Sequence, residues 1–376
     1  MHAFLPKLTY DAAHQALAPW ATERPGATVL AFIPEGADLA ALQRACKELG
    51  LNLFGGVFPA IVHDSEFLTQ GAVLLHAGTA PGLVIEGMAD LQTCARAVTQ
   101  LGNFVEERAS PAGEQTLFCI FDALDPLVAT HLDDLYLRLA DLVHYAGVCA
   151  GSERFVPIPS VFDTDTCVAG GALALLLPEH PGACLAHGFR LPEQFRVATS
   201  ASANRVVQID WQPAIDVYRE MVKQQYGIDI DRDNFYRLAV NFPIGILRAN
   251  DDVLVRIPVR VDDDGGIACI GEIPASAVLT ILDAKAKGQD AAGLMAAKLT
   301  QLKAAEAGMP LVLFYCAGRR LELGADTHAE LTRLKSLTGA AELLGALTLG
   351  EVGPFRPGGY PLFHNATMVG LPWPNR

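Results

Sequence analysis

Between Phe155 and Ile209 the chain reads as four short strand-like runs: Cys167 to Leu177, Ala183 to Phe189, Phe195 to Ser200 and Arg205 to Ile209. Pro and Gly separate them, the punctuation of an antiparallel meander. Mixed texture surrounds this stretch. Thr28 to Ile33 is a β-branched and aromatic run ending in Pro34-Glu35-Gly36. Ala37 to Gly50 then sets Leu39, Leu42, Cys46 and Leu49 on one helical face. Further strands are expected at Ala72 to His76, Leu83 to Glu86 and Leu117 to Phe121. Asp125-Pro126 reads as a helix start, with the helix running to about Gly147.

Asp210-Trp211-Gln212-Pro213 opens a helix to about Gln225, where a second half begins. Val253 to Val261 and Ile267 to Ile270 flank Asp262-Asp263-Asp264-Gly265-Gly266, a hairpin turn rather than a calcium loop, because the later ligands are missing. A helix over Ala291 to Glu306 precedes the buried strand Pro310 to Tyr315. Thr327-His328-Ala329-Glu330 has the form of a capping box. Strands follow at Ala346 to Val352 and Pro361 to Val369. The fold expected is α+β: two mixed α/β halves on largely antiparallel sheets, residues 28–209 and 210–372, with a ligand pocket at their junction.

With 51% apolar and 19% charged residues, the 376-residue chain has ample material for a core. Its mean hydropathy of +0.26 implies large buried sheets, an apolar cavity or a hydrophobic oligomer interface. Net charge is −14, from 28 Lys and Arg against 42 Asp and Glu, so a nucleic-acid partner is not expected. Met1 to Leu8 lacks the pattern of a signal peptide, and the longest apolar run, Val168 to Leu177, is half a membrane span. A cytoplasmic protein without membrane insertion is expected. The eight cysteines stand at least 17 residues apart, which suits buried thiols in a reducing compartment and offers no zinc spacing.

Nucleotide loops, HExxH, GxSxG, CxxCH and Cys-Pro pairs are all absent, and no catalytic residue is assigned. The C-terminal third carries a more specific pattern: Leu313-Phe314-Tyr315-Cys316-Ala317-Gly318-Arg319, Leu323-Gly324, Glu330, Gly345, Gly350-Glu351 and His364-Asn365-Ala366-Thr367. Together with His187-Gly188, Asp210, Pro213-Ala214, Tyr218 and Arg256, it resembles the FIST N and FIST C sensory domains of bacterial signal transduction proteins, over about residues 28 to 370. Where FIST N domains often carry a Gly-Cys-Ser/Thr turn, this chain has Phe54-Gly55-Gly56-Val57-Phe58-Pro59, which implies a more apolar pocket.

The resemblance implies a stand-alone small-molecule sensor, acting through a partner such as a histidine kinase or by self-association as a homo-oligomer. It also implies an alternative, since a subgroup of the family binds haem b and senses nitric oxide; His187 or His364 would then be the axial ligand. A thiol-dependent enzyme using Cys316 is a third reading. The expected ligand-binding residues are His187, Arg256, Cys316, Arg319, Glu351, His364 and Asn365. Arg319 is a fork for a carboxylate or an internal ion-pair partner of Glu351. Arg256, alternating with Val255 and Ile257, is either solvated or turned inward onto an anion. His76 and His144 are further candidates, His144 on the side of a helix.

Overall fold

The computed structural model describes all residues except 111–114, 232–233, 249–251, 283–289, 303–307, 357 and 374–376. The described residues form three six-stranded sheets and one of eight strands, an α+β fold whose strand pairs are mostly antiparallel.

The three six-stranded sheets share one plan. In the first, a lead strand (His2–Leu5) and a helix (Tyr10–Glu23) precede strand Thr28–Pro34, helix Leu39–Glu48 and strand Asn52–Phe58; the last two strands are parallel. After a hairpin, Ala60–His63 and Glu66–Leu68, a closing strand (Ala72–His76) inserts antiparallel between the lead strand and Thr28–Pro34. The second unit repeats this order with Gly82–Ile85, helix Cys94–Glu106, Thr116–Asp122, helix Val128–Leu139, His144–Ala150, the hairpin Val161–Asp163 and Cys167–Val168, and Ala172–Leu177. The third runs from Cys184–Ala186 through helix Ala291–Gln301, Leu311–Cys316, helices Ala317–Leu323 and Asp326–Thr338, Leu343–Thr348, and the hairpin Glu351–Gly353 and Leu362–His364, to Met368–Pro372. One glycine marks the same place in each unit. Gly55, Gly147 and Gly345 face Ala31, Cys119 and Leu313 across the parallel pair. A Cβ there would lie 2.1, 2.5 and 1.9 Å from the facing residue's carbonyl oxygen.

The hairpins are exchanged in a ring. The first unit's pairs with Leu343–Thr348 of the third, the second's with Asn52–Phe58 of the first, and the third's with His144–Ala150 of the second. Sequence on either side of residue 210 is therefore woven into common sheets. The eight-stranded sheet (residues 196–281), packed on helix Ala214–Tyr226, is an insertion between the third unit's lead strand and its first helix.

Period-two alternation explains why the central strands read as unbroken apolar runs. Leu30, Phe32, Phe118, Ile120, Val312 and Phe314 point to one shared core, where Phe314 meets Phe32 and Phe118 at ring distances of 5.1 and 5.5 Å. Their neighbours Val29, Ala31, Leu117, Cys119, Leu313 and Tyr315 face the outer helices. Large sheets buried on both sides thus account for the positive hydropathy.

Several boundaries differ from the sequence reading. The helix expected from Asp125-Pro126 begins at Val128, because Asp125 accepts from the Leu127 N–H and pairs with buried His131. It stops at Leu139, and His144 and Gly147 lie in a strand, where Gly147 permits close parallel pairing. Thr327 forms no capping box: its hydroxyl bonds the Gly324 carbonyl, and Glu330 is drawn to Arg319. Gly170-Gly171 splits the run from Cys167 into two strands. The end of the helix expected to reach Glu306 lies outside the described residues. The turn 262–266 does join two antiparallel strands, with Arg205 paired to Asp262 and Asp264.

Candidate functional site

Cys316 ends the third unit's first parallel strand, and Glu351 begins its hairpin. Residues 364–367 turn the chain from that hairpin into the closing strand. Ala366 takes a left-handed φ of 53° there, next to Asn365. In the first two units, glycines (Gly71 and Gly170) hold left-handed φ before the closing strand. An alanine in that conformation is strained, a feature that concentrates at functional sites.

These elements converge on Glu351, which is wholly buried. Its carboxylate accepts from the Thr348 and Thr367 hydroxyls, both at 2.6 Å, and from the Cys316 thiol. Desolvation outweighs those bonds and raises its pKa to about 7. The Cys316 sulfur in turn accepts from the Ala366 N–H at 3.1 Å. Burial holds the thiol well above its ordinary pKa, so it is neither a thiolate nor an activated nucleophile.

Asn365 is the exception in this bonded network. Its side chain is buried, yet among the described residues neither the carboxamide oxygen nor the nitrogen has a partner. Each orphaned group costs about 1–3 kcal/mol relative to a satisfied one. Asn365 lines a cavity of about 30 Å³ with Cys316, Ala317 and Gly318 on one side. Val240, Ile257, Val259 and Ile270 of the inserted region form the other, and Leu321, Leu349, Phe155 and Glu153, the last paired with Arg320, complete it. Room for about one water remains, so a larger occupant requires the walls to part. They meet closely: a Cβ on Gly318 would lie 2.2 Å from Ile257 Cδ1.

The remaining sequence-predicted residues brace this seam. Arg256 is 2% exposed and, among the described residues, has no carboxylate on its guanidinium; it donates to the carbonyls of Val255, Glu272 and Phe363 and lies over the Phe363 ring. The inward arginine is thus met by carbonyl dipoles rather than an anion, and burial lowers its pKa to about 10. The alternation expected around it fails because the strand breaks at Ile257, leaving Val255, Arg256 and Ile257 all buried. Arg319 pairs bidentately with Glu330, not Glu351, at 2.5 and 2.9 Å, and its third nitrogen donates to the His187 carbonyl.

Neither candidate histidine suits haem. His187 borders a separate cavity of about 250 Å³ beside the Arg319–Glu330 pair. Its Nδ1 accepts from the Phe189 N–H, and the ring also bonds the Val253 backbone. Burial and the Arg319 charge lower its pKa to about 4. His364 is fully buried, bonds the Gly353 carbonyl, packs edge-on against Phe355 and lies in no wall of the cavities described here. An axial ligand needs an open nitrogen facing a slot for the macrocycle; His364 Nδ1 is unpartnered among the described residues, but no cavity described here reaches it. Among the described residues no group of three or more His, Cys, Asp or Glu is placed to hold a metal ion.

Of the residues named from sequence, the fold brings Cys316, Glu351 and Asn365 together, with Arg256 behind them, places His187 and Arg319 at a neighbouring cleft, and buries His364 outside the walls of both cavities. Sequence reasoning did not make this grouping. It named Gly318 and Thr367 only as part of the family pattern, without a role at the site, and did not single out Thr348 or Ile257. The two threonines were findable as the hydroxyls at the ends of otherwise apolar strands.

Two family models match the chain, the FIST N domain over residues 27–212 and the FIST C domain over 214–354. No curated protein matches at a significant level. No described helix is long and apolar enough to cross a membrane.

Proposed function

The chain belongs to the FIST family, whose domains are sensory modules of signal transduction proteins, and we propose that it binds a small molecule at Asn365. The observation that carries this reading is the unpartnered carboxamide of that residue. One amide donor and one acceptor call for a ligand with the complementary pair, such as a primary amide, a carboxylic acid or a hydroxy-ketone. The surrounding Ile257, Val259, Ile270 and Leu349 suit an apolar body.

Entry requires the inserted sheet to move away from the helix at Ala317–Leu323. Ligand binding then selects a wider arrangement of the two walls, and the outer surface changes with it. A separate signalling protein, such as a histidine kinase, would read that change. The eight free cysteines fit a reducing, cytoplasmic setting.

The test is a thermal-shift screen of small amides, amino acids and hydroxy acids against the wild type and Asn365→Leu in parallel. Compounds that raise the wild-type Tm and leave the variant unmoved support the assignment. Hits that stabilise both proteins equally overturn it.

A further inference from the structure

A second cavity lies where the three units' closing strands end. His76 is the last residue of the first closing strand, Leu177 the last of the second, and Trp373 directly follows the third. All three line a space of about 330 Å³, within the range of small-ligand pockets and at the kind of sheet mouth where such pockets occur. Its chemistry is lopsided toward donors. The Gly78 N–H donates to His76 Nδ1 at 3.3 Å, which places the ring proton on Nε2. Among the described residues, His76 Nε2 and Trp373 Nε1 are both buried and without a partner. The residues are 6% and 3% exposed. Arg24 stands at the rim, its guanidinium 3.5 Å from where a Gly78 Cβ would be, and has no ion-pair partner among the described residues. Burial, together with the positive charges beside it, lowers the His76 pKa, so the ring is a neutral donor at pH 7.

We propose that this cavity is a second ligand site, specific for a small monocarboxylate with an apolar body. The imidazole and indole N–H groups and the Arg24 fork meet the carboxylate, while Leu177 and Pro178 face the body. The site is built from the opposite end of the closing strand that carries Thr367 and Asn365 at its start, and it stands independently of the Asn365 reading.

Trp211 is 78% exposed, so Trp211→Phe leaves Trp20 and Trp373 as the indole reporters of the full chain. Titrating this protein with benzoate gives a saturable change in tryptophan fluorescence, and neutral benzamide gives none. Arg24→Gln, a surface change, weakens the benzoate affinity about tenfold or more. Trp373→Phe does the same when read by calorimetry, and Asn365→Leu leaves it unchanged. No saturable response to benzoate, equal binding of benzamide, or an Arg24→Gln affinity equal to the parent's would each overturn the proposal.

Discussion

Glu351 is a carboxyl group that titrates near neutrality inside the protein, and burial is the reason. Its folded pKa of about 7 lies above the unfolded value near 4.5, so the folded state binds more protons between those limits. Its contribution to stability is therefore most favourable below about pH 4.5 and is lost as pH rises through about 7. The shift corresponds to roughly 3 kcal/mol. The buried His187, with a lowered pKa, works in the opposite sense below pH 6.5, so the clean quantity is a difference. Unfolding free energy of the wild type minus that of Glu351→Gln should fall by about that amount between pH 4.5 and 8. A pH-independent difference would mean that Glu351 stays ionised. At this scale the family pattern named Cys316, Glu351 and Asn365, which the fold brings close together. It was uninformative about partners. Arg319 finds Glu330 because the successive helices Ala317–Leu323 and Asp326–Thr338 pack together, a pairing set by tertiary packing rather than by strand neighbours.

The parallel pair at the heart of each unit depends on one glycine. A Cβ at Gly345 would overlap the Leu313 carbonyl oxygen, a backbone atom that cannot rotate away. Gly345→Ala is expected to destabilise the protein by about 1–3 kcal/mol or more, and Gly147→Ala and Gly55→Ala likewise, as measured by urea unfolding. By contrast, Gly318→Ala meets only the tip of Ile257; it should cost little stability while filling the cavity and abolishing responses at Asn365. The strands themselves were legible as short apolar runs. Their arrangement in three like units was not, because what the units share is a register and a glycine, not a readable motif. The hairpin exchange joins segments such as Ala60–His63 and Leu343–Thr348, too distant in sequence for any local pattern to announce.

Interlacing makes the three units one cooperative body. Residues 1–209 and 210–376, expressed separately, should each fail to show a cooperative thermal transition, because each lacks strands that complete the other's sheets. A sharp transition in either piece would contradict this. The inserted sheet meets the body along the Val255, Ile257 and Ala366 seam, beside the orphaned carboxamide. On the proposed reading the unpaired carboxamide is a cost carried by the empty protein, and that gives a test needing no ligand. Urea unfolding of the wild type and Asn365→Leu, side by side, reads it directly. The variant should be more stable by about 1 kcal/mol or more; a variant less stable by that amount would show that Asn365 already has its partners and contradict the assignment.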